Sequence, residues 1–219
     1  MGETGLAATK TRATRRDVLR VASGIAGAAA VVGAVGAAAY MVPWLGDTAP
    51  PPAPPAAGTV DVDLAPLRAG QQVMVFWRSL PVFVVHRGAQ ALAMLRDPDL
   101  LGQLADPASE QLQQPPYARN PERSIKPEFA VLVGICTHMG CTPTFYPLPH
   151  ASDPAPDWPG GYLCPCHGSR YDLAGRVFKD VPAPYNLPVP PYRFVGDTTI
   201  RIGENPGNAK FDFNAILQI

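Results

Sequence analysis

C-P-C-H-G-S-R-Y-D, residues 164–172, puts two cysteines, a histidine, a glycine and a serine into its first six positions. The whole chain of 219 residues has only four cysteines and four histidines. The other two cysteines stand upstream, in C-T-H-M-G-C at 136–141. One stretch offers Cys136, His138 and Cys141; the other offers Cys164, Cys166 and His167. Each follows an apolar segment. Six soft ligands gathered in two short loops point to bound metal rather than to packing.

Three readings of these residues can be weighed. Structural zinc wants four Cys or His ligands in a closed tetrahedron; six candidates are too many, and the spacings match neither a ribbon nor a finger. Two plain disulfides suit an exported domain but leave both histidines unexplained. The third reading is a two-iron, two-sulfur centre with cysteines on one iron and histidines on the other.

Read as whole boxes, C-T-H-M-G-C followed by C-P-C-H-G-S resembles the Rieske iron–sulfur proteins. Both boxes are complete and in order, and together they hold every cysteine of the chain. The resemblance implies one [2Fe-2S] cluster, with Cys136 and Cys164 on one iron, His138 and His167 on the other, and a disulfide between Cys141 and Cys166. It also implies that the hydroxyls of Ser169 and Tyr171 donate to cluster or cysteine sulfur. Such donors stabilise the more negative reduced state and raise the potential. Gly140 and Gly168 are expected to permit tight loops and close approach of backbone to the cluster. Val181-Pro182-Ala183-Pro184 is similar to the proline loop that covers the cluster in respiratory members, with Val181 where glycine is common. His150 matches neither box and His86 falls in an expected strand, so neither is taken as a ligand.

Imidazole ligands carry less charge than thiolates, so the centre is easier to reduce. Each imidazole also keeps a second ring nitrogen that can exchange a proton. Uptake of one electron with one proton is half of a quinol oxidation. The Rieske proteins of quinol-oxidising complexes combine an anchor, a linker, the disulfide and the Ser/Tyr pair, and this sequence has the features expected for all of these. The resemblance therefore implies the catalytic iron–sulfur subunit of a bacterial ubiquinol–cytochrome c reductase. His167 would contact ubiquinol and accept its proton, in a dimeric complex with cytochrome b and a c-type cytochrome. The alternative is an electron-carrier subunit of another periplasmic oxidoreductase without quinol chemistry.

The N-terminal part supports a membrane setting. Val21–Gly46 is 26 residues without a charged side chain, and about 20 apolar residues suffice to span a bilayer core. Thr14-Arg15-Arg16-Asp17-Val18-Leu19-Arg20 precedes it and resembles a twin-arginine export motif. Ala37-Ala38-Ala39 would satisfy a cleavage rule. However, the run continues past a signal core, and Tyr40 and Trp44 suit an interfacial belt, which favours a retained anchor in contact with lipid. Five prolines between 50 and 55 favour an extended, semi-rigid spacer. The expected layout is a cytoplasmic N-terminus over 1–17, a transmembrane helix over 18–46, a Pro-rich hinge over 47–58, and a Rieske domain over 59–219 with its cluster-binding part at about 130–186. Its place would be the bacterial inner membrane, with the domain periplasmic. Lys plus Arg and Asp plus Glu are 18 each, and that balance argues against a nucleic-acid partner.

The soluble part is expected to be a mainly β, antiparallel sandwich with a small cluster-binding subdomain and a short helical insertion. Val60, Val62 and Leu64 alternate with aspartates as a half-buried strand. Strands are expected at Gln72–Trp77 and Val82–His86 around a turn at Arg78-Ser79-Leu80-Pro81, and at Phe129–Ile135. A hairpin is expected at Tyr192–Val195 and Thr198–Ile202. Helices are expected at Ala89–Arg96 and Leu100–Ala105. Gln111–Pro127 lacks periodicity and reads as loop, and the tail Gly203–Ile219 carries no recognisable chemistry.

Overall fold

The computed structural model describes residues 58–147 and 158–218. Among them no helix is long and apolar enough to cross a membrane. The expected twin-arginine motif, the anchor over 18–46, the prolines of the hinge and His150 all lie outside the described residues.

The fold is mainly β, built of three antiparallel three-stranded sheets. The first sheet has the order β1 (Val60–Asp63), β9 (Thr199–Ile202), β8 (Tyr192–Phe194). In β1 the valines and aspartates take opposite faces, and Val62 is buried while Asp61 and Asp63 are exposed. Asp61 lies across from Arg201 and accepts two hydrogen bonds from its guanidinium, both at 2.7 Å. The β8–β9 hairpin forms around Gly196, as its sequence predicts.

The second sheet has the order β2 (Gln72–Trp77), β3 (Leu80–His86), β4 (Phe129–Val133). Val82 to Val85 and Ala130 to Val133 are buried, which is why both strands read as continuous apolar runs rather than as alternation. The β2–β3 turn is tighter than its sequence suggests. Arg78 and Ser79 both take positive φ, 49° and 63°, the geometry of a two-residue hairpin turn. Leu80 and Pro81 therefore belong to the strand, opposite Trp77 and Phe76. Pro81 sits near the strand start, where a missing N–H is tolerated, and its carbonyl accepts the Gly134 amide at 2.8 Å.

Two short helices follow, α1 (Ala89–Met94) and α2 (Pro98–Gln103). The second begins two residues earlier than expected. Asp97 caps it by accepting the Asp99 amide at 2.8 Å, and Pro98 is well suited to the first helical turn. Leu104 then turns extended and bridges to Phe178.

Residues 111–127 form a 3-10 turn at Pro116–Ala118 and otherwise irregular chain, but this is not a surface loop. Gln113, Gln114, Glu122, Arg123 and Ser124 are buried. Arg123 is fully buried and donates to the carbonyls of Ala174 and Gly175 and to Gln114 Oε1. Arg87 threads the same region, donating to the carbonyls of Pro127 and Glu122 and to Ser124 Oγ. Gln113 Oε1 accepts the amides of Leu217 and Gln218, which fastens the tail. These polar groups supply the hydrogen bonds that irregular backbone needs when it is buried.

One continuous core draws on all three sheets, from Val62 and Ile202 through Phe83 and Leu132 to Tyr162 and Tyr171. Burial raises the phenols of Tyr162 and Tyr192 well above the usual 10.0, and pushes Tyr117 up to about 12. The folded chain thus keeps protons that the unfolded chain releases above about pH 10. The stability these groups contribute is full below that pH and declines as pH rises through it. Tyrosinate absorbance for these three is expected to appear together with loss of the fold. Stepwise ionisation near pH 10 with the near-ultraviolet dichroism intact would contradict this.

Candidate metal centre

The third sheet has the order β5 (Thr144–Tyr146), β6 (Gly161–Leu163), β7 (Arg170–Tyr171). Its strands join the two cysteine-bearing loops: residues 136–141 lead from β4 towards β5, and residues 164–169 link β6 to β7. The third sheet went unread in the sequence, because strands of two or three residues fall below any window that detects alternation.

The two loops are built alike. In the first, the Cys136 amide donates to the Cys141 carbonyl at 2.8 Å and the Gly140 amide to the Cys136 carbonyl at 3.0 Å. In the second, the Cys164 amide donates to the Ser169 carbonyl at 2.8 Å and the Gly168 amide to the Cys164 carbonyl at 3.0 Å. Each is a six-residue loop with glycine at position five, at φ 83° and 76°. A Cβ there would meet nothing within 4 Å, so the need for glycine is the left-handed backbone itself.

This shared geometry aims the side chains. Cys136 and Cys164, first in each loop, are buried free thiols. Burial, reinforced by the neighbouring Cys136 thiol, raises the Cys164 thiol, while the amides of Cys166 and His167 act against that rise. Cys164 therefore favours its proton, which a metal ion displaces on binding. Cys141 and Cys166 form a disulfide that ties the loops together. The rings of His138 and His167 lie 4.7 Å apart, edge to face. His167 is exposed and His138 partly so. Met139, next to His138 in the first box, is 71% exposed.

The buried Cys136 thiol has a hydroxyl neighbour. Tyr171 Oη donates to Cys136 Sγ at 3.3 Å and accepts the Thr137 amide at 3.1 Å. Burial and contact with Cys136 hold this phenol far above its ordinary range, so it stays a proton donor. Ser169 is fully buried, and its Oγ accepts the Ala183 amide at 3.1 Å. Thr137, also fully buried, was not singled out in the sequence, although it stands inside the first box between Cys136 and His138.

The donor set can be tested against a two-iron centre from an orphaned atom. His138 Nδ1 is buried and has no hydrogen-bond partner, which is costly unless something else occupies it. It sits on the loop that begins with the buried thiol of Cys136, and the ring of His167 stands beside its own. Two thiols and two imidazoles, with amides turned towards sulfur, fit a [2Fe-2S] group. The Sγ atoms of Cys141, Cys164 and Cys166 also lie within 4.8 Å of one another, but two of these are spent in the disulfide and cannot serve as thiolate ligands.

Comparison with known proteins agrees with this geometry. The Rieske [2Fe-2S] domain family matches residues 109–192. The ubiquinol–cytochrome c reductase iron–sulfur subunit of Allochromatium vinosum is 51% identical over 183 residues, covering 83% of this chain and 87% of that protein. The chain belongs to the Rieske iron–sulfur subunits of ubiquinol–cytochrome c reductase. The corresponding subunit of Blastochloris viridis is 46% identical, covering 87% of this chain and 93% of that protein. A solved structure titled as a hyperthermophilic respiratory Complex III aligns with a TM-score of 0.41 at 22% identity, covering 82% of this chain and 99% of that one. The cofactor of this Rieske chain is a [2Fe-2S] cluster.

Proposed function

We propose that Cys136 and Cys164 bind one iron and that His138 and His167 bind the other. We propose further that the chain is the subunit at which ubiquinol gives up its first electron. When bound, the cluster supplies a one-electron acceptor that two imidazoles make easier to reduce than an all-thiolate centre. The observation that carries the reading is the exposed His167 ring standing 4.7 Å from that of His138, on loops whose first residues are buried thiols. His167 holds the quinol hydroxyl and takes its proton at the outer ring nitrogen. Met139, exposed in the first box, gives this tip an apolar contact suited to a pocket shared with cytochrome b. A c-type cytochrome then receives the electron, and the proton leaves on the periplasmic side. Relatives named as subunits of the same reductase support these partners. The uncharged run Val21–Gly46 after the twin arginines supports a single-pass anchor in the inner membrane, with the N-terminus cytoplasmic. Such complexes assemble as dimers in this reading.

Tyr171 keeps its proton and donates it to Cys136 Sγ, and Ser169 supplies a second hydroxyl. Both favour the reduced state. A redox titration of the membrane-bound protein, read by electron paramagnetic resonance, tests the assignment. The midpoint is expected near the top of the Rieske range of roughly −150 to +300 mV. Tyr171→Phe is expected to lower it by roughly 40–60 mV, equivalent to one hydrogen bond of about 1–1.4 kcal/mol. A midpoint near the bottom of that range in the unaltered protein would instead favour a carrier for another periplasmic oxidoreductase.

A further inference from the structure

Residues Val181-Pro182-Ala183-Pro184 are followed by Tyr185. Proline has no N–H, so between 182 and 185 the chain can donate only from Ala183 and Tyr185. Both amides go to hydroxyls beside the proposed ligands. The Ala183 amide donates to Ser169 Oγ at 3.1 Å. The Tyr185 amide approaches Thr137 Oγ1 at 3.4 Å, and Thr137 Oγ1 donates back to the Tyr185 carbonyl at 2.7 Å. Pro182 and Pro184 are exposed while Ala183 is buried between them. The segment thus touches one residue from each cysteine loop, and touches it through hydrogen bonds rather than by covering alone.

A serine hydroxyl has one proton and two lone pairs. With the Ala183 N–H on one lone pair, the Ser169 proton is forced to point away from residue 183. Donation into the oxygen also polarises the hydroxyl and strengthens it as a donor. At the other end, Thr137 spends its own proton on Tyr185 and its amide on Tyr171 Oη. The Tyr171 proton is left to be shared between Cys136 Sγ at 3.3 Å and Thr137 Oγ1 at 3.2 Å.

We infer that Pro182–Tyr185 is a positioning element: its two amides, with Thr137 as the link, orient the hydroxyls of Ser169 and Tyr171 and so set the cluster potential. Ala183 and Thr137 act through those hydroxyls and touch no reacting atom. The inference rests on the proposed sulfur-donor roles of Ser169 and Tyr171.

Ala183→Pro tests it on the assembled complex. The substitution removes the N–H at a position that Pro184 already biases to extended backbone. The expected result is a fall in midpoint potential comparable with that of Ser169→Ala, and no further fall when the two are combined. Additive effects, or an unchanged potential with the cluster retained, overturn the inference, because a merely structural role does not depend on the Ser169 hydroxyl. If Ala183→Pro fails to retain its cluster, the other end decides. Thr137→Val is then expected to lower the potential in the unaltered background and not in Tyr171→Phe, with Thr137→Ser restoring it. Equal shifts in both backgrounds overturn the inference. If Ser169→Ala and Tyr171→Phe themselves leave the potential unchanged, the underlying reading falls, and the inference with it.

Discussion

Replacing Asp172 with alanine is expected to lower the thermal midpoint of unfolding by roughly 6–20 °C, corresponding to about 3–5 kcal/mol in a domain of this size. Asp172 and Arg176 are both buried, and the Arg176 Nε–Asp172 Oδ2 distance is 2.6 Å. The other carboxylate oxygen accepts the amides of Ala174 and Arg176 at 2.9 and 2.8 Å. Removing the carboxylate leaves a fully buried guanidinium held only by the carbonyls of Leu95 and Pro107, and orphans two amides as well. Burial of an uncompensated charge, rather than loss of the pair's own attraction, is what makes the change severe. Asp172→Asn keeps an oxygen for the two amides and should recover part of the loss. Asp172→Leu combined with Arg176→Met should cost less than alanine alone. A shift below about 2 °C for Asp172→Ala, read by calorimetry, would refute the argument.

The position of this pair matters to the metal centre. Asp172 directly follows Tyr171, and the turn it closes returns the chain so that Tyr171 and Val177 bridge. On its far side the Gly175 carbonyl accepts the Leu187 amide at 2.8 Å. The buried charge therefore fixes the strand whose phenol reaches Cys136 Sγ. Cluster loss in Asp172→Ala should accompany unfolding rather than precede it.

The family and its cofactor were legible because six ligand-type residues stand in two boxes whose order and spacing are seldom met by chance. The long strands were legible for a simpler reason: Val60 to Asp63 alternates, and Ala130 to Val133 is buried on both faces. What escaped were interactions that join residues far apart in the chain. Gln113 and Arg123 lie in a segment without periodicity, and nothing local marks them as buried; their partners are 174, 175, 217 and 218. Arg176 looks like an ordinary surface arginine until Asp172, Leu95 and Pro107 surround it. The turn at Arg78 and Ser79 was misjudged because neither residue is the usual choice for left-handed backbone, while Pro81 looks like a breaker. Gly161 shows the same limit. Its φ is 131°, and a Cβ there would lie 2.0 Å from the Tyr171 carbonyl oxygen, but only the β6–β7 pairing reveals that approach.

Replacing Cys141 and Cys166 together with serine is expected to cost about 3.5 kcal/mol, from the loop-closure entropy that a 25-residue separation restores to the unfolded chain. At roughly 2–4 °C per kcal/mol this is a fall of about 7–14 °C in the thermal midpoint. The cost falls unevenly. The first and second sheets do not depend on this bond for their pairing, whereas the two cysteine loops are joined by it at their tips. Loss of iron and acid-labile sulfide is therefore expected well below the temperature at which far-ultraviolet dichroism is lost, and mild reductant should reproduce the effect in the unaltered protein. Full iron retention with an unchanged midpoint would sink the prediction. Reduction and serine replacement should agree, because both remove the same cross-link and leave Cys136, Cys164, His138 and His167 in place. On this argument the disulfide holds the two loops at the spacing the cluster needs, and its loss is felt at the metal centre before it is felt in the sheets.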